Sequence, residues 1–114
     1  MDGKRRLAVV WVTGDREAAL NMVFMYAGNS KRRGWWDEVR LVVWGPSARL
    51  LAEDAELQEA LGEVSQAGVE LFACKACSDF YGVSEKLQAL GIRVILMGVP
   101  FTQMLQGGWT CLTV

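Results

Sequence analysis

Cys74 and Cys77 form a Cys-x-x-Cys pair at the end of the apolar run at residues 71–73. The run is typical of a buried strand and the residues after it have helical spacing, so the pair lies where a strand is expected to change into a helix. The unpaired N–H groups and positive dipole end of a helix N-terminus favour a thiolate, and Lys75 adds positive charge. We hypothesise that Cys74 carries or transfers sulfur, with Cys77 in a supporting or resolving role.

The composition is that of one domain spanning residues 1–114, with 52% apolar residues and a net charge of −1. Such a chain can bury a substantial core without a metal or disulfides. Basic residues cluster only in short runs at 4–6 and 31–33, so we expect no nucleic-acid partner. The absence of histidine excludes Cys-His and Ser-His-Asp catalysis within one subunit and removes the commonest metal ligand. We expect no metal and no cofactor.

The cysteine content indicates the compartment. Three cysteines, an odd number, without a signal-peptide pattern favour a reducing cytoplasm in which the thiols stay free. No apolar run approaches the ~20 residues of a membrane-spanning helix. We therefore expect a cytoplasmic protein with no integral membrane segment.

Apolar runs alternate with helical patterns along the chain, which is typical of an α/β protein whose parallel sheet is covered by helices on both faces. The predicted order is βαβαβαβαβ. The strands are expected at residues 7–12, 39–44, 69–73, 92–97 and 110–114.

Capping residues and glycines predict where the helices begin and end. The first helix is expected to begin after Asp15 as its N-cap and to run to about Ala27, with Gly28 as its stop. Pro46 suits the first position of the second helix, and Asp54 is expected to restart it.

The helix after the cysteines is expected to have one continuous apolar face, formed by Ala76, Phe80, Val83, Leu87 and Leu90. Gly82 and Ser84 are predicted to interrupt it as a stop and a new N-cap. A last short helix is expected near residues 102–106.

Parallel sheets bind ligands outside the carboxyl ends of their strands. Besides the two cysteines, the candidate binding residues at this edge are Lys75, Asp79 (a candidate helix cap), Trp44, Gly45, Ser47 and Gly98. Trp11 and Trp44 end their strands here and would enclose a thiol pocket, although a Trp at the end of a strand is more often part of the core.

The first predicted helix is apolar on all sides, since only Asn21 is clearly polar between residues 18 and 27. The sheet covers only one of these sides. We expect a neighbouring subunit to cover the other side, and hence a homo-oligomer.

The segment at residues 74–83, read with its surroundings, resembles the DsrE/DsrF-like family of small sulfur-relay proteins. The resemblance extends over nearly the whole chain and includes the segments at residues 37–39, 42–47, 67–69, 90–92 and 97–98. It implies a three-layer α/β/α sandwich with a five-stranded parallel sheet, related to the flavodoxin-like fold, and subunits packed as trimers or hexamers.

The resemblance also implies that a cysteine after the third strand accepts sulfur as a persulfide, and Cys74 matches that position. Members that act in sulfur oxidation or tRNA thiolation work in relay with other carriers, which implies sulfur-donor and sulfur-acceptor proteins as partners. This sequence departs from the relay members at Cys77, where they tend to carry a small residue. The site is therefore open to a persulfide, an internal disulfide or both.

Three other functions compete with a sulfur carrier. A zinc site at Cys74 and Cys77 would need two further ligands in a chain without histidine. A non-catalytic module could bind a small anion or nucleotide at the turn of residues 45–47, although the glycine motifs of phosphate sites are missing. A thiol-disulfide redox protein would use the same two cysteines, but the chain lacks a thioredoxin-like pair after the first strand.

Cys111 is expected to be a buried structural thiol.

Overall fold

Five parallel strands form the sheet of the computed structural model, which describes residues 2–114. They are β1 (Arg6–Trp11), β2 (Glu38–Val43), β3 (Glu70–Cys74), β4 (Arg93–Ile95) and β5 (Thr110–Thr113), in the order β4-β3-β2-β1-β5 across the sheet. The predicted five-stranded parallel sheet is confirmed. Strand β4 is shorter than predicted because the N–H of Ile92 donates to Leu87 at the end of the preceding helix, and Met97 already has helical backbone angles.

The strands are connected by helical segments. These are α1 (Arg16–Ala18), a π-helical segment (Ala19–Phe24), α2 (Met25–Arg32), α3 (Pro46–Glu53), α4 (Ala55–Gln66), α5 (Lys75–Phe80), α6 (Ser84–Ala89) and α7 (Gly98–Gln106). Pro46 begins α3 as predicted, and the Asp54 carboxylate caps α4 by accepting a hydrogen bond from the Leu57 N–H. Within residues 2–114 no helix is long and apolar enough to cross a membrane.

The strand order distributes the helices unequally over the two faces of the sheet. From β1 to β4 the chain moves across the sheet in one direction, so right-handed crossovers place the intervening helices on one face. The return from β4 to β5 runs the opposite way and places α7 on the other face. The larger core cluster lies under the crossover helices. A smaller cluster lies on the face of α7 and contains Ala8, Val42, Phe72, Cys74, Met97 and Met104.

The first helical region continues past the glycine predicted to end it. Gly28 is buried inside α2, and the chain stays helical to Arg32. The space that a side chain at Gly28 would need is occupied by the Arg32 guanidinium, whose Nη2 lies 3.1 Å from the position of a Cβ atom. In this region Met22 and Met25 are exposed while Val23 is buried, so one apolar side packs on the sheet and the other remains open in the single chain.

The helix after the cysteines also differs from the prediction. Phe80 is 84% exposed and does not belong to a buried apolar face, whereas Leu87 is fully buried. Gly82, with φ of +70°, separates α5 from α6, and Ser84 is the first residue of α6 rather than its cap. This left-handed glycine turns the chain between the two helices, so they do not share one continuous face. The last helix, α7, begins at Gly98, which is earlier than predicted.

Leu57 provides a test of the larger core. It is fully buried in α4, so we expect Leu57→Ala to lower the free energy of unfolding by roughly 2–5 kcal/mol, measured by urea denaturation. The matched control is Leu105→Ala in α7, where the leucine is half exposed and the expected loss is below about 1 kcal/mol. Equal losses for the two variants would contradict this assignment of the core.

Candidate functional site

The two cysteines lie together where β3 meets α5. Cys74 is the last residue of β3, pairs across the sheet with Ile95 and is only 6% exposed. Cys77 is the third residue of α5, is half-buried and packs against the cluster that contains Cys74. Both thiols are free. The strand-to-helix change expected at this pair is confirmed.

Aromatic and methionine side chains enclose the two thiols. Trp44 and Phe101 belong to the same cluster as the cysteines and contact each other edge to face, with ring centroids 5.3 Å apart. Met97 is buried in this cluster as well. Trp11 lies on the opposite face, where its ring packs on Phe24 in the main core. Of the two tryptophans considered for the pocket, only Trp44 therefore lies beside the cysteines.

The turn after β2 is held by Ser47 rather than left open for a ligand. The buried Ser47 hydroxyl donates to the Trp11 carbonyl at 2.5 Å and accepts from the Trp44 N–H at 3.2 Å. The Ser47 N–H donates to the Val12 carbonyl. Gly45 has φ of +71° and ψ of −139°, a conformation essentially restricted to glycine. Because both polar groups of Ser47 bond within the protein, the turn offers little to a phosphate.

Burial raises the pKa of the Cys77 thiol above its ordinary value. The Gly45 backbone N–H favours the thiolate and partly opposes this rise, and the neighbouring Cys74 thiol adds to it. Cys77 is therefore a neutral thiol at neutral pH.

Lys75 and Asp79 pair with each other on the exposed side of α5. The Lys75 ammonium donates to one Asp79 oxygen at 2.6 Å, and the Ser84 hydroxyl donates to the other at 2.5 Å. Both bonds lower the pKa of Asp79, and the bond from Lys75 has the larger effect. Asp79 is the fifth residue of α5, too far along to cap its N-terminus, so the expected cap is wrong. The ammonium expected to stabilise a thiolate donates to this carboxylate.

Ser78 is a site residue that the sequence reasoning missed. Its side chain is fully buried, and its Oγ lies 3.2 Å from the Lys75 carbonyl oxygen and 2.6 Å from the Ser84 Oγ. Because the Ser84 hydroxyl donates to Asp79, the Ser78 hydroxyl is the donor in the shorter contact with Ser84. This contact ties α5 to α6 and fixes a helix of only six residues that would be unstable alone. The signal available in the sequence was a serine on each side of Gly82.

The remaining candidates lie near the edge of the site or outside it. Gly98 begins α7 next to Met97, and apart from its chain neighbours and the backbone of its own helix no atom lies within 4 Å of the position a Cβ would take there. Cys111 belongs to β5 and lies opposite Ala8 of β1, with its sulfur 3.8 Å from the Thr113 hydroxyl. It is half-buried, whereas it was expected to be buried. Residues 2–114 contain no group of three cysteine or acidic side chains placed to hold a metal ion, so a zinc site within one chain gains no support.

A family model for the DsrE/DsrF-like family matches residues 7–114. The chain belongs to the DsrE/DsrF-like family. It is 38% identical to BT1422 from Bacteroides thetaiotaomicron, a conserved protein of unknown function, with a TM-score of 0.92 over 96% of this chain and 94% of that one. The two chains therefore share the same α/β fold over almost their whole length. No curated protein matches the chain.

Two more distant structures share the fold alone. They are the ychN protein from E. coli, at 18% identity, and MTH1491 from Methanobacterium thermoautotrophicum, a protein of unknown function, at 20% identity. Each has a TM-score of 0.72 and covers 96% of this chain and 99% of its own. The predicted family and the predicted fold class are both confirmed.

The bonds of Asp79 lead to a pH prediction. Because the pKa of Asp79 is lower in the folded chain than in the unfolded one, its contribution to stability is present above the unfolded pKa and is lost as the pH falls through the folded pKa. We expect the stability difference between wild type and Asp79→Asn to shrink between about pH 7 and about pH 2 in urea denaturation. Glu85→Gln, at an exposed carboxylate of α6, is the matched control. A difference independent of pH would contradict the pairing.

Proposed function

We propose that this protein is a sulfur carrier that accepts sulfur as a persulfide on Cys74. The observation that carries the proposal is the pairing of two free thiols at the carboxyl edge of the sheet in a DsrE-like fold. The Cys74 thiolate attacks the terminal sulfur of a donor persulfide, a new S–S bond forms at Cys74, and the donor leaves as a thiolate. Oxidation states are exchanged between the two partners, so no external oxidant is needed.

The chemistry suits the side chains that are present. Persulfide transfer depends on thiolate nucleophilicity and on the leaving thiol, so a chain without histidine can perform it. The apolar enclosure by Trp44, Met97 and Phe101 limits the access of water and of other thiols to a bound persulfide. Two of these three residues, Met97 and Phe101, belong to α7 or its cap.

Loading of Cys74 requires a local opening, because this residue is almost fully buried. Helix α7 is the one described helix on the face of the sheet that carries this cluster. It lies on the opposite face from the larger core, and its only fully buried side chain is Met104. Displacing α7 would uncover the thiols without exposing the larger core.

Cys74→Ser tests the acceptor. Incubation with a low-molecular-weight persulfide is expected to add one sulfur to the wild type, located on Cys74 by peptide mapping after intact-mass spectrometry. The variant lacks the nucleophile, so we expect its loading to fall at least about 10-fold. Cys111→Ser removes a half-buried thiol from a different strand and is expected to load normally. Wild-type loading of Cys74→Ser would refute the assignment.

The partners and the location follow from this function. A carrier needs one protein that donates sulfur and one that accepts it, and free thiols fit a cytoplasmic protein. We propose sulfur-donor and sulfur-acceptor proteins as transient partners, with no direct role for nucleic acid.

We further propose that the chain assembles as a homo-oligomer, a trimer or a hexamer. Two surfaces of the single chain support this. Met22 and Met25 are exposed on the first helical region. The sheet face under α7 carries only one helix, which leaves Arg6 and Arg40 half-exposed beside Glu38 and Glu70.

Light scattering coupled to size-exclusion chromatography tests the assembly. A mass of three or six chains is expected at micromolar concentration. Met25→Glu places a charge on the exposed apolar side and is expected to lower the assembly size if that side is an interface, whereas Glu17→Gln, at an exposed residue of α1, is the control. A monomeric wild type would refute the proposal.

A further inference from the structure

Cys77 is a nucleophilic group that sulfur loading leaves unused. It lies three residues after Cys74, which precedes α5 as its N-cap with extended backbone angles. The Cys74 thiol is near enough to Cys77 to affect its pKa by a side-chain hydrogen bond. A disulfide between them requires their Cβ atoms to come within about 3.5–4.5 Å. Both cysteines pack in one cluster, and Cys77 is the more exposed of the two.

We propose that Cys77 resolves the Cys74 persulfide, so that the protein releases its sulfur as hydrosulfide and is left with a Cys74–Cys77 disulfide. This inference rests on the proposed loading of Cys74. It differs from a simple relay, because the product is a small inorganic sulfide and not a persulfide on an acceptor protein.

The step balances. The Cys77 thiol gives its proton to water and its sulfur attacks the Cys74 sulfur, so that the Cys74–Cys77 bond forms and the bond to the outer sulfur breaks. The outer sulfur leaves as hydrosulfide with the electron pair of that bond and is reduced, while the Cys77 sulfur is oxidised and the Cys74 sulfur keeps the oxidation level that it gained on loading. A dithiol reductant must then return both thiols to their reduced form before the next cycle.

The surroundings of Cys77 make this step slow at neutral pH. Apolar Met97 and Phe101 face the cluster from α7 and its cap, the Cys74 thiol faces it from β3, and the Gly45 N–H approaches from the turn after β2. On α5 itself, Lys75 and Asp79 neutralise each other. The pKa of Cys77 is raised, chiefly by burial, so the attacking thiolate is scarce at neutral pH and a loaded persulfide persists. Release should speed up as the pH rises.

The experiment follows the loaded protein. Wild type is loaded with glutathione persulfide, separated from the donor, and assayed for hydrosulfide release and for the oxidation state of its cysteines by mass mapping. We expect one hydrosulfide for each Cys74–Cys77 disulfide formed. As long as the pH lies below the pKa of Cys77, each unit of increase in pH should speed the release about 10-fold. Cys77→Ser and Cys77→Ala, each normalised to its own content of Cys74 persulfide, should release sulfide at least about 10-fold more slowly than the wild type. Cys111→Ser should behave as wild type.

The outcomes separate the two proposals. A wild type that gains no sulfur on Cys74 refutes the carrier function itself. Normal loading, with sulfide release from both Cys77 variants at the wild-type rate, refutes only the resolving role, as does release without a Cys74–Cys77 disulfide or with no pH dependence. The disulfide is mapped in the wild type, which needs no substitution. The proposal can therefore be refuted even if a Cys77 variant folds poorly.

Discussion

The constant hand of the crossovers in a parallel sheet is the constraint on which the rest of this structure depends. Four strands added in one direction force their connecting helices onto one face, and the single return to β5 sends α7 to the other. The result is a three-layer sandwich in which the helical layer on one face of the sheet contains the segments from α1 to α6 and the layer on the other face contains only α7. The larger core lies under the crossover helices, and a smaller cluster that contains Cys74 lies on the face of α7.

The thiol site lies on the α7 side of this sandwich. Cys74 ends a central strand, so its backbone is fixed by pairing with β4 while its side chain is covered mainly by α7 and Trp44. A paired backbone under a single covering helix suits the sulfur-carrying role proposed for Cys74, because a local opening of that helix would leave the larger core intact. The short helix α5 is held in register by the buried Ser78 and its contact with Ser84, which fixes the position of Cys77 relative to Cys74.

Much of the fold could be predicted because it depends on local patterns. The apolar runs gave the five strands, and Pro46 and Asp54 marked the starts of α3 and α4. Gly28 was misleading because a helix tolerates glycine where another side chain, here Arg32, fills the space. Phe80 was misleading because its spacing fits a helix face, and only the turn at Gly82 takes it out of the core. The Lys75–Asp79 pair, four residues apart in one helix, was within reach of sequence reasoning.

By itself, the sequence determined the sheet, the family resemblance, the lack of histidine and the location of Cys74 and Cys77 at a strand-to-helix boundary, because each is a matter of residue type and spacing. The tertiary structure decided which tryptophan joins the thiols, that Cys74 is the more buried cysteine, and that the polar groups of Ser47 bond within the protein. These features depend on contacts between residues far apart in the chain. Such contacts are fixed by the packing of whole elements and not by local preference.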